Sequence, residues 1–363
     1  MTKITQQKEM IDMKRVVGNA GGLRAVRYIM LVAVIALFAG CAAPPEKVWD
    51  LTWPSPPDPP KIKYVEIIQS DRDVEKASSI GETIFGETTE YKLTKPYGVA
   101  VDKDGRVFVT DAGFVAVFDK KGHKMGFLGA GGMGALDSSS GLAVSDRTGR
   151  IYVADNHKKL IMMYDSNFTF LRTIGQKDDF ENPMGLAVDD ERQRLYAVDS
   201  KKCRVKVFSL DGNPLFTFGK RGEADGEFNT PTHVAVDKAG DVYVVDTQNF
   251  RVQIFDPEGK FLSKFGELGD AVGQFARPKG IALDSDGNIY VVDAAYQNVQ
   301  VFNKKGELLL FFGGQGSDPG QFFLPAGIAI DNEDRVYVTE QFTARVQVFQ
   351  YMGKKWQQRQ AAQ

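Results

Sequence analysis

A sequence repeat with spacings of 43, 44, 48, 47 and 47 residues is the feature that most limits how this chain can fold. Its marker is a glycine near the start of each copy, replaced once by histidine, at Gly98, Gly141, Gly185, His233, Gly280 and Gly327. An acidic residue that closes the second apolar run keeps the same period, at Asp111, Asp155, Asp199, Asp246, Asp293 and Glu340. Copies of this length with four short strands each are typical of a β-propeller. The sequence therefore predicts an all-β fold, a propeller of six blades.

The copy from Pro278 to Phe322 shows the strands within one blade most clearly. Its apolar runs are Gly280–Leu283, Ile289–Val292, Val299–Phe302 and Leu308–Phe312. Short runs rich in Val, Ile, Tyr and Phe, separated by Asp and Gly turns, predict antiparallel strands joined by hairpins. The runs are apolar almost throughout, which indicates that both faces of each sheet are buried.

Side-chain size changes in a regular order along each copy. The first run is small, as in Gly280-Ile-Ala282, whereas the second contains a tyrosine or phenylalanine such as Tyr290 and the third ends in an aromatic such as Phe302. Blades that radiate from an axis leave gaps that widen outward. Close packing then requires small side chains near the axis and large ones farther out.

At these residues the chain resembles the NHL-repeat family. The family pattern, P-x-G-[IV]-A-[VIL]-D, then [IV]-Y-V-x-D, R-V-Q-[VI]-F, F-G and G-Q-F, is matched best by Pro231–Phe275, Pro278–Phe322 and Pro325–Phe349. The resemblance covers roughly residues 93–352. It implies the six-bladed fold but no single activity, because the family includes lyases, RNA-binding proteins and sensor or scaffold domains.

The sixth copy lacks its fourth strand, and a segment before the repeats can supply it. After Phe349 the chain turns polar, whereas residues 61–68 alternate between polar and apolar like a strand. We expect residues 62–68 to form the outer strand of blade six and so to protect an open sheet edge. The propeller then spans residues 62–352, residues 353–363 form a disordered tail, and residues 69–92 have no predicted structure.

Residues 1–40 have the pattern of a bacterial lipoprotein signal peptide. Basic residues precede an apolar run of 12 residues, Ile29–Gly40, which is shorter than the roughly 20 residues of a membrane span. The ending Leu37-Phe-Ala-Gly-Cys41 resembles a lipobox, with Phe38 as a departure, and this implies a lipidated Cys41. Ala42 resembles the sorting signal for the outer membrane of a Gram-negative cell. An uncleaved anchor or an ordinary signal peptide is the alternative.

Residues 41–61 form the predicted lipid-anchored, proline-rich tether. The run Pro54-Ser-Pro-Pro-Asp-Pro-Pro60 favours an extended polyproline conformation. Trp49 and Trp53 precede this run and allow two interpretations. They contact the membrane interface, or they dock onto the side of the propeller.

Charge limits the class of partner. Without the six basic and two acidic residues of 1–40, the chain keeps 39 basic and 45 acidic residues, a net charge of −6. A nucleic-acid partner requires a basic face, so the sequence predicts none. The expected partners are the membrane, through Cys41, and a protein of the bacterial cell envelope.

No complete catalytic, cofactor or metal site is found in the sequence. The acidic residues of the repeat are interpreted as acceptors of loop N–H groups, with a cation site above the channel as the alternative. The resemblance implies a second alternative, since the family's amidating lyases bind zinc through several histidines. The chain has three, His123, His157 and His233, at positions that are not equivalent in the repeat. Cys203 is expected to be a buried small hydrophobe.

The predicted function is an envelope-anchored binding or scaffold module, an accessory of an envelope complex, and not an enzyme. The competing prediction is a lyase or hydrolase with a metal in the channel. Aromatic and basic side chains after the second strands suit a protein or anionic partner. The candidate partner-binding residues are His157, Lys158, Lys159, Lys201, Lys202, His233, Phe250, Tyr296 and Phe342.

Overall fold

The computed structural model describes residues 49–74 and 90–362. Within these ranges, six antiparallel sheets form six blades, and strands of each repeat pair in chain order. The predicted six-bladed all-β propeller is confirmed. Blades one to three consist of Val99–Val101, Val107–Asp111, Phe114–Asp119 and Lys124–Leu128; Ser139–Val144, Ile151–Asp155, Leu160–Tyr164 and Phe170–Ile174; Pro183–Asp189, Arg194–Asp199, Arg204–Ser209 and Pro214–Phe218. Blades four to six consist of Pro231–Val236, Val242–Asp246, Arg251–Phe255 and Phe261–Phe265; Pro278–Leu283, Ile289–Asp293, Asn298–Phe302 and Leu308–Gly313; Pro325–Ile330, Arg335–Glu340, Arg345–Tyr351, Ile62–Ile68 and Thr52–Trp53.

The apolar core is divided among the gaps between neighbouring blades. Each inner strand contacts the inner strand of the next blade, and blade six contacts blade one. Every gap contains its own cluster of buried side chains drawn from the two blades beside it. Between blades four and five, for example, Tyr243 packs in the same cluster as Ile281 and Phe302. The aromatic side chains of second and third strands therefore fill the gaps between blades.

The marker glycines lie where neighbouring inner strands come closest. A Cβ atom on Gly141 would be 2.2 Å from the Met184 carbonyl oxygen of blade three, and one on Gly327 would be 2.3 Å from the Tyr97 carbonyl oxygen of blade one. Both contacts are with backbone, which cannot move aside as a flexible side chain can. Glycine is thus required at these positions by blade-to-blade contact, and His233 is an exception that needs its own explanation.

Residues 62–68 close the ring as predicted. Ile62–Ile68 pairs antiparallel with Arg345–Tyr351, with Tyr64 opposite Phe349. The side chains of Ile62 and Ile68 are fully buried. Burial of the alternate positions explains why the sequence alternates here, and the last blade is completed by the start of the domain.

The end of the predicted tether also belongs to this sheet. Thr52–Trp53 adds a short fifth strand to blade six, with Trp53 opposite Ile62. The Trp53 ring centroid lies 6.0 Å from that of Phe312 and 5.8 Å from that of Phe349. Trp49 packs against the same cluster. Of the two interpretations of the tryptophans, docking onto the propeller is the one observed, and the folded unit begins before residue 62.

Residues 1–48, including the predicted signal peptide and Cys41, lie outside the described residues, as do residues 75–89.

The prediction of a disordered tail is wrong for most of its length. Lys354–Ala361 forms a helix that begins after Gly353. Lys, Gln, Arg and Ala are good helix formers, and two contacts fix the helix to a loop of blade six: Arg359 pairs with Glu333, and Lys355 donates to the Asn332 carbonyl. No helix within the described ranges is long and apolar enough to cross a membrane.

The outer strands of five blades carry a β-bulge at the same repeat position. The bulged residues are Val65, Leu171, Leu215, Leu262 and Leu309, and all five side chains are exposed. A bulge twists an edge strand and interrupts its row of hydrogen-bonding groups, which discourages pairing with another chain. We therefore attribute the exposure of these aliphatic side chains to their positions in the bulges that protect the sheet edges.

Candidate functional site

One end of the disc carries all the candidate partner-binding loops. Each second strand ends opposite the start of its first strand, as in the pairing of Asp246 with Pro231. Each fourth strand also ends at this level, as in the pairing of Phe265 with Val252. The loops after the second strands and the blade-to-blade connections therefore lie together at one end, here named the loop end. The hairpins between first and second strands and between third and fourth strands form the far end.

The repeated acidic residues are structural at the loop end. Every one of these carboxylates is at most 1% exposed. Asp293 accepts N–H groups of Ala276 and Arg277 from the preceding connection and of Tyr296 from the loop that follows it. Glu340 likewise accepts the Phe323 N–H at 2.8 Å. The carboxylates fasten the connections to the blades, so the interpretation as acceptors of loop N–H groups is confirmed.

Arginines five residues after three of these carboxylates behave in two ways, and two of the three pair with the carboxylate. Arg251 Nε lies 2.9 Å from Asp246, and Arg345 Nε lies 2.6 Å from Glu340. Arg204 instead donates to the Asp179 carbonyl at 2.6 Å. These guanidinium groups reach carbonyls of the connections, which places them in the same structural network.

Sequence reasoning missed the buried glutamines of the R-V-Q motif. Gln253 donates to the Glu227 carbonyl at 2.7 Å and Gln347 donates to the Gln321 carbonyl at 2.6 Å. Each also hydrogen-bonds the acidic residue of its blade. A polar residue inside an otherwise apolar third strand was the available signal, because a buried amide needs partners.

The predicted basic cluster is divided between structural and exposed side chains. Lys158 Nζ lies 2.9 Å from Asp137 and 2.8 Å from the Ala135 carbonyl, and Lys202 Nζ donates to the Asp178 carbonyl. Both lysines therefore hold the preceding connection of their own blade. Lys159 and Lys201 are exposed.

His157 is exposed and shares the carboxylate of Asp137 with Lys158. Its Nδ1 lies 3.0 Å from Asp137. Hydrogen bonds from Lys158 and then His157 lower the pKa of Asp137 below its usual value. This group is open to solvent, so it contributes surface charge and not a buried site.

Two of the three predicted aromatic contacts face the protein. Phe250 is partly buried and packs against the cluster between blades four and five. Its backbone is left-handed, with φ of 54° after a short 3-10 turn at Thr247–Asn249, and its packing leaves only part of the ring accessible to a partner. The Tyr296 hydroxyl donates to the Gly269 carbonyl and is likewise engaged within the loop end.

Phe342 is the predicted aromatic that does face solvent. Its side chain is 65% exposed, and its ring stacks on Phe323 with centroids 4.2 Å apart and an interplanar angle of 25°. A stacked pair presents a broad, rigid apolar surface, since neither ring can rotate freely without losing the other. Such surfaces are enriched at protein interfaces.

Three further exposed apolar side chains lie at the loop end and were not singled out from the sequence. Met133 is 88% exposed, Leu268 is 63% exposed and Val272 is 66% exposed, and all three lie on blade-to-blade connections. Together with Phe342 they are the only large hydrophobic side chains among the described residues that exceed 60% exposure. Burial in a loop depends on tertiary contacts, so the sequence pattern could not reveal them.

The channel is filled at its loop-end mouth by side chains from opposite blades. The ring of His233 in blade four stacks on Tyr97 in blade one, with centroids 5.6 Å apart and an interplanar angle of 24°. The Lys279 ammonium of blade five lies 5.6 Å from the centroid of the Tyr97 ring. Neither ring nitrogen of His233 has a hydrogen-bond partner. His233 therefore lines the channel and does not belong to the exposed loop surface.

Burial dominates the electrostatics of this cluster. Burial, with the Lys279 charge as a smaller cause, lowers the pKa of His233 to about 3. Burial, with repulsion from Arg277, lowers the pKa of Lys279 below its usual value. Burial alone raises the pKa of Tyr97. At neutral pH the imidazole is consequently uncharged, with one nitrogen able to donate and the other able to accept.

The histidines do not assemble into a metal centre in the described part of the chain. His123 lies in a hairpin at the far end, His157 in a loop at the loop end and His233 on an inner strand. No group of three or more metal-ligating side chains occurs among the described residues. Cys203 is fully buried, as predicted, with its thiol 3.5 Å from the Ser200 carbonyl.

Comparisons with known proteins agree with this architecture. The NHL-repeat family matches residues 228–255, and a family described as a 6-bladed beta-propeller matches residues 282–361. A comparison with curated proteins finds no match.

Similar solved structures share the fold at low sequence identity. A protein of unknown function from Bacteroides thetaiotaomicron is 18% identical, with a TM-score of 0.60 over 80% of this chain and 75% of that one. Virginiamycin B lyase from Staphylococcus aureus is 14% identical, with a TM-score of 0.53 over 71% and 95%. A nidogen/laminin complex is 18% identical, with a TM-score of 0.53 over 67% and 89%. The chain is a six-bladed β-propeller in which residues 228–255 match the NHL repeat.

Proposed function

We propose that this protein is an envelope-anchored binding module whose loop end holds a protein partner. The observation that carries this proposal is the placement of the four most exposed large hydrophobic side chains, Met133, Leu268, Val272 and Phe342, all at that end. A concentration of exposed apolar surface marks interaction sites, whereas single scattered side chains do not, so the proposal rests on all four side chains lying at one end. Exposed aliphatic residues elsewhere are bulge residues of outer strands or their neighbours, for which edge protection is a sufficient explanation.

Exposed charges at the same end affect how fast a partner associates and in which orientation. Lys159 and Lys201 are exposed there, and the chain without residues 1–40 has a net charge of −6. Isolated basic groups on an acidic protein act mainly on encounter rate and orientation, whereas buried aromatic contacts set the dissociation rate. We therefore assign affinity to the apolar side chains and steering to the lysines.

The proposed location is the cell envelope, with the lipidated Cys41 as anchor and the outer membrane as the expected site. The motif Leu37-Phe-Ala-Gly-Cys41 and the following Ala42 support it. Replacement of Cys41 by serine is expected to abolish lipid labelling and to release the protein from the membrane fraction. Persistent labelling would contradict the anchor.

The test of the binding function begins with the partner in its native setting. The partner is isolated by cross-linking in the envelope and purified, and its binding kinetics are measured with full-length variants. We expect Phe342→Ala to raise the dissociation rate at least tenfold, because it removes half of the stacked pair. Leu215→Ala is the matched control, since that side chain is 50% exposed but lies on an outer strand. Equal dissociation rates for the two variants would move the partner site away from the loop end.

A lyase or hydrolase with a channel metal is the competing function. The fold is shared with virginiamycin B lyase, although likeness at this identity concerns fold alone. Metal analysis of the purified protein separates the two proposals. Stoichiometric zinc or calcium would favour the enzyme.

A further inference from the structure

We propose that the loop-end mouth of the propeller channel is a binding site for a carboxylate, formed by Lys279, His233 and Tyr97. This site differs from the partner surface, which is made of exposed connections and not of channel residues. The three side chains come from blades five, four and one and meet across the axis. No single repeat supplies the site, so the complete ring of blades is needed to form it.

His233 is not explained by the needs of the repeat. The equivalent position is glycine in the other blades, where a Cβ would press on the backbone of the next blade, as Gly280 shows with 2.6 Å to the Ala326 carbonyl. The chain instead carries an imidazole here that is 9% exposed and has both nitrogens unpaired. A buried polar group without partners is unusual in a native fold and calls for a specific cause. A ligand that accepts a hydrogen bond from this ring supplies one.

Lys279 gives the site its charge. Its ammonium makes a cation–π contact with Tyr97, and no carboxylate lies within ion-pair distance of it among residues 49–74 and 90–362. The repeated acidic residues of blades four and five are engaged elsewhere: Asp246 binds Arg251 and Asn229, and Asp293 binds backbone N–H groups. The mouth is therefore left with an uncompensated positive charge.

The chemistry of these groups selects an anion with planar acceptor oxygens. An ammonium, a neutral imidazole N–H and a phenol hydroxyl are all donors, and together they suit the two oxygens of a carboxylate. A metal cation would meet the Lys279 charge and only one histidine. The Tyr97 ring covers His233, so the ligand contacts Lys279 first and reaches the imidazole when the phenol ring turns aside. The carboxylate belongs either to a small free acid or to an acidic side chain of a protein that enters the mouth.

Histidine NMR gives a direct test, because the chain has three histidines and His233 alone is buried among them. Full-length protein labelled with ¹⁵N-histidine is titrated with potassium succinate and, separately, with an acetylated tetra-aspartate peptide. Potassium chloride at equal ionic strength controls for salt. We expect a saturable shift of the His233 nitrogens. A shift with succinate indicates a free acid, and a shift with the peptide alone indicates an acidic side chain.

Variants distinguish the site from general charge effects. Lys279→Gln is expected to weaken binding at least tenfold, whereas Lys177→Gln, at an exposed lysine on a loop-end connection, changes it less than twofold. His233→Gly restores the residue found in the other blades and is expected to abolish binding measured by calorimetry while the protein stays folded. The proposal is overturned if neither probe gives a saturable shift, or if Lys279→Gln binds as the unsubstituted protein does. Neither result bears on whether the exposed connections bind a protein.

Discussion

His233 and the marker glycines occupy one repeat position for different physical reasons. Glycine is required where inner strands touch, as the 2.3 Å approach of a Cβ on Gly327 to the Tyr97 carbonyl shows. His233 places a polar ring in the channel whose nitrogens have no hydrogen-bond partners. The sequence could identify His233 as an exception, but not Tyr97 or Lys279, because nothing in one repeat indicates that three blades meet at this point.

The buried imidazole predicts a characteristic acid sensitivity. The pKa of His233 is about 3 in the folded state, whereas an unfolded histidine has a pKa of roughly 6.5. Between these values the unfolded chain binds the proton and the folded chain does not, so stability falls as the pH falls through 6.5 and stops falling near 3. His233→Gln should remove this contribution, on the order of 2–3 kcal/mol between pH 7 and pH 4.5.

Urea unfolding of both proteins at several pH values measures the effect. The other groups with shifted pKa values are common to both proteins, so their contributions cancel in the difference. We expect the variant to be less sensitive to acid than the unsubstituted protein. Parallel pH profiles would show that the imidazole is not held neutral in the channel.

Glycine substitutions test the contact between the first and last blades. Gly327→Ala places a methyl group against the blade-one backbone and should lower stability by about 1–3 kcal/mol. Gly131→Ala is the matched control, because a Cβ there meets nothing within 4 Å and should change stability by at most about 0.5 kcal/mol. Thermal unfolding compares the two. An equal effect of both substitutions would contradict the proposed role of the marker glycine.

At the scale of elements, the strands could be predicted from the sequence. The C-terminal helix and the burial of loop side chains could not. Repetition fixed the strands, and the missing fourth run of the last copy located the closing strand Ile62–Ile68. The helix Lys354–Ala361 was not predicted, because a polar run shows no apolar stripe and its docking depends on single contacts to Glu333 and Asn332. The partial burial of Phe250 could not be predicted, because neither its left-handed backbone nor its packing partners can be seen in the sequence.

Closure of blade six by the N-terminal strand should control the stability of the whole ring. Chains beginning at Trp49, Lys61 and Leu93 remove first the short strand Thr52–Trp53 and then Ile62–Ile68. The loss of Ile62, Tyr64 and Ile68 exposes apolar side chains of blade six and the edge of Arg345–Tyr351. We expect a modest decrease in melting temperature at the first truncation and a large decrease with loss of cooperativity at the second. Identical melting of the last two chains would show that the ring closes without this strand.

At the scale of the molecule, the two ends of the disc differ in what they expose. Loop-end connections present Met133, Leu268 and Val272. At the far end, adjacent hairpins bind each other instead, as in the contacts of Ser145 with Asp190 and of Ser285 with Asp334. The fold could be read from repeats, since propellers are periodic, but the asymmetry could not, because it depends on departures from the repeat in individual connections.

The claim that the loop end is the partner surface is tested most directly by footprinting the native complex. Hydroxyl radicals label exposed side chains in the free protein and in the cross-linked envelope complex, and the difference is read by mass spectrometry. We predict protection of Met133, Leu268 and Phe342, with unchanged labelling of Leu215 and Leu262, two outer-strand residues that are about half exposed. Protection of the outer strands or of the helix Lys354–Ala361, with Met133 and Phe342 still labelled, would contradict the account.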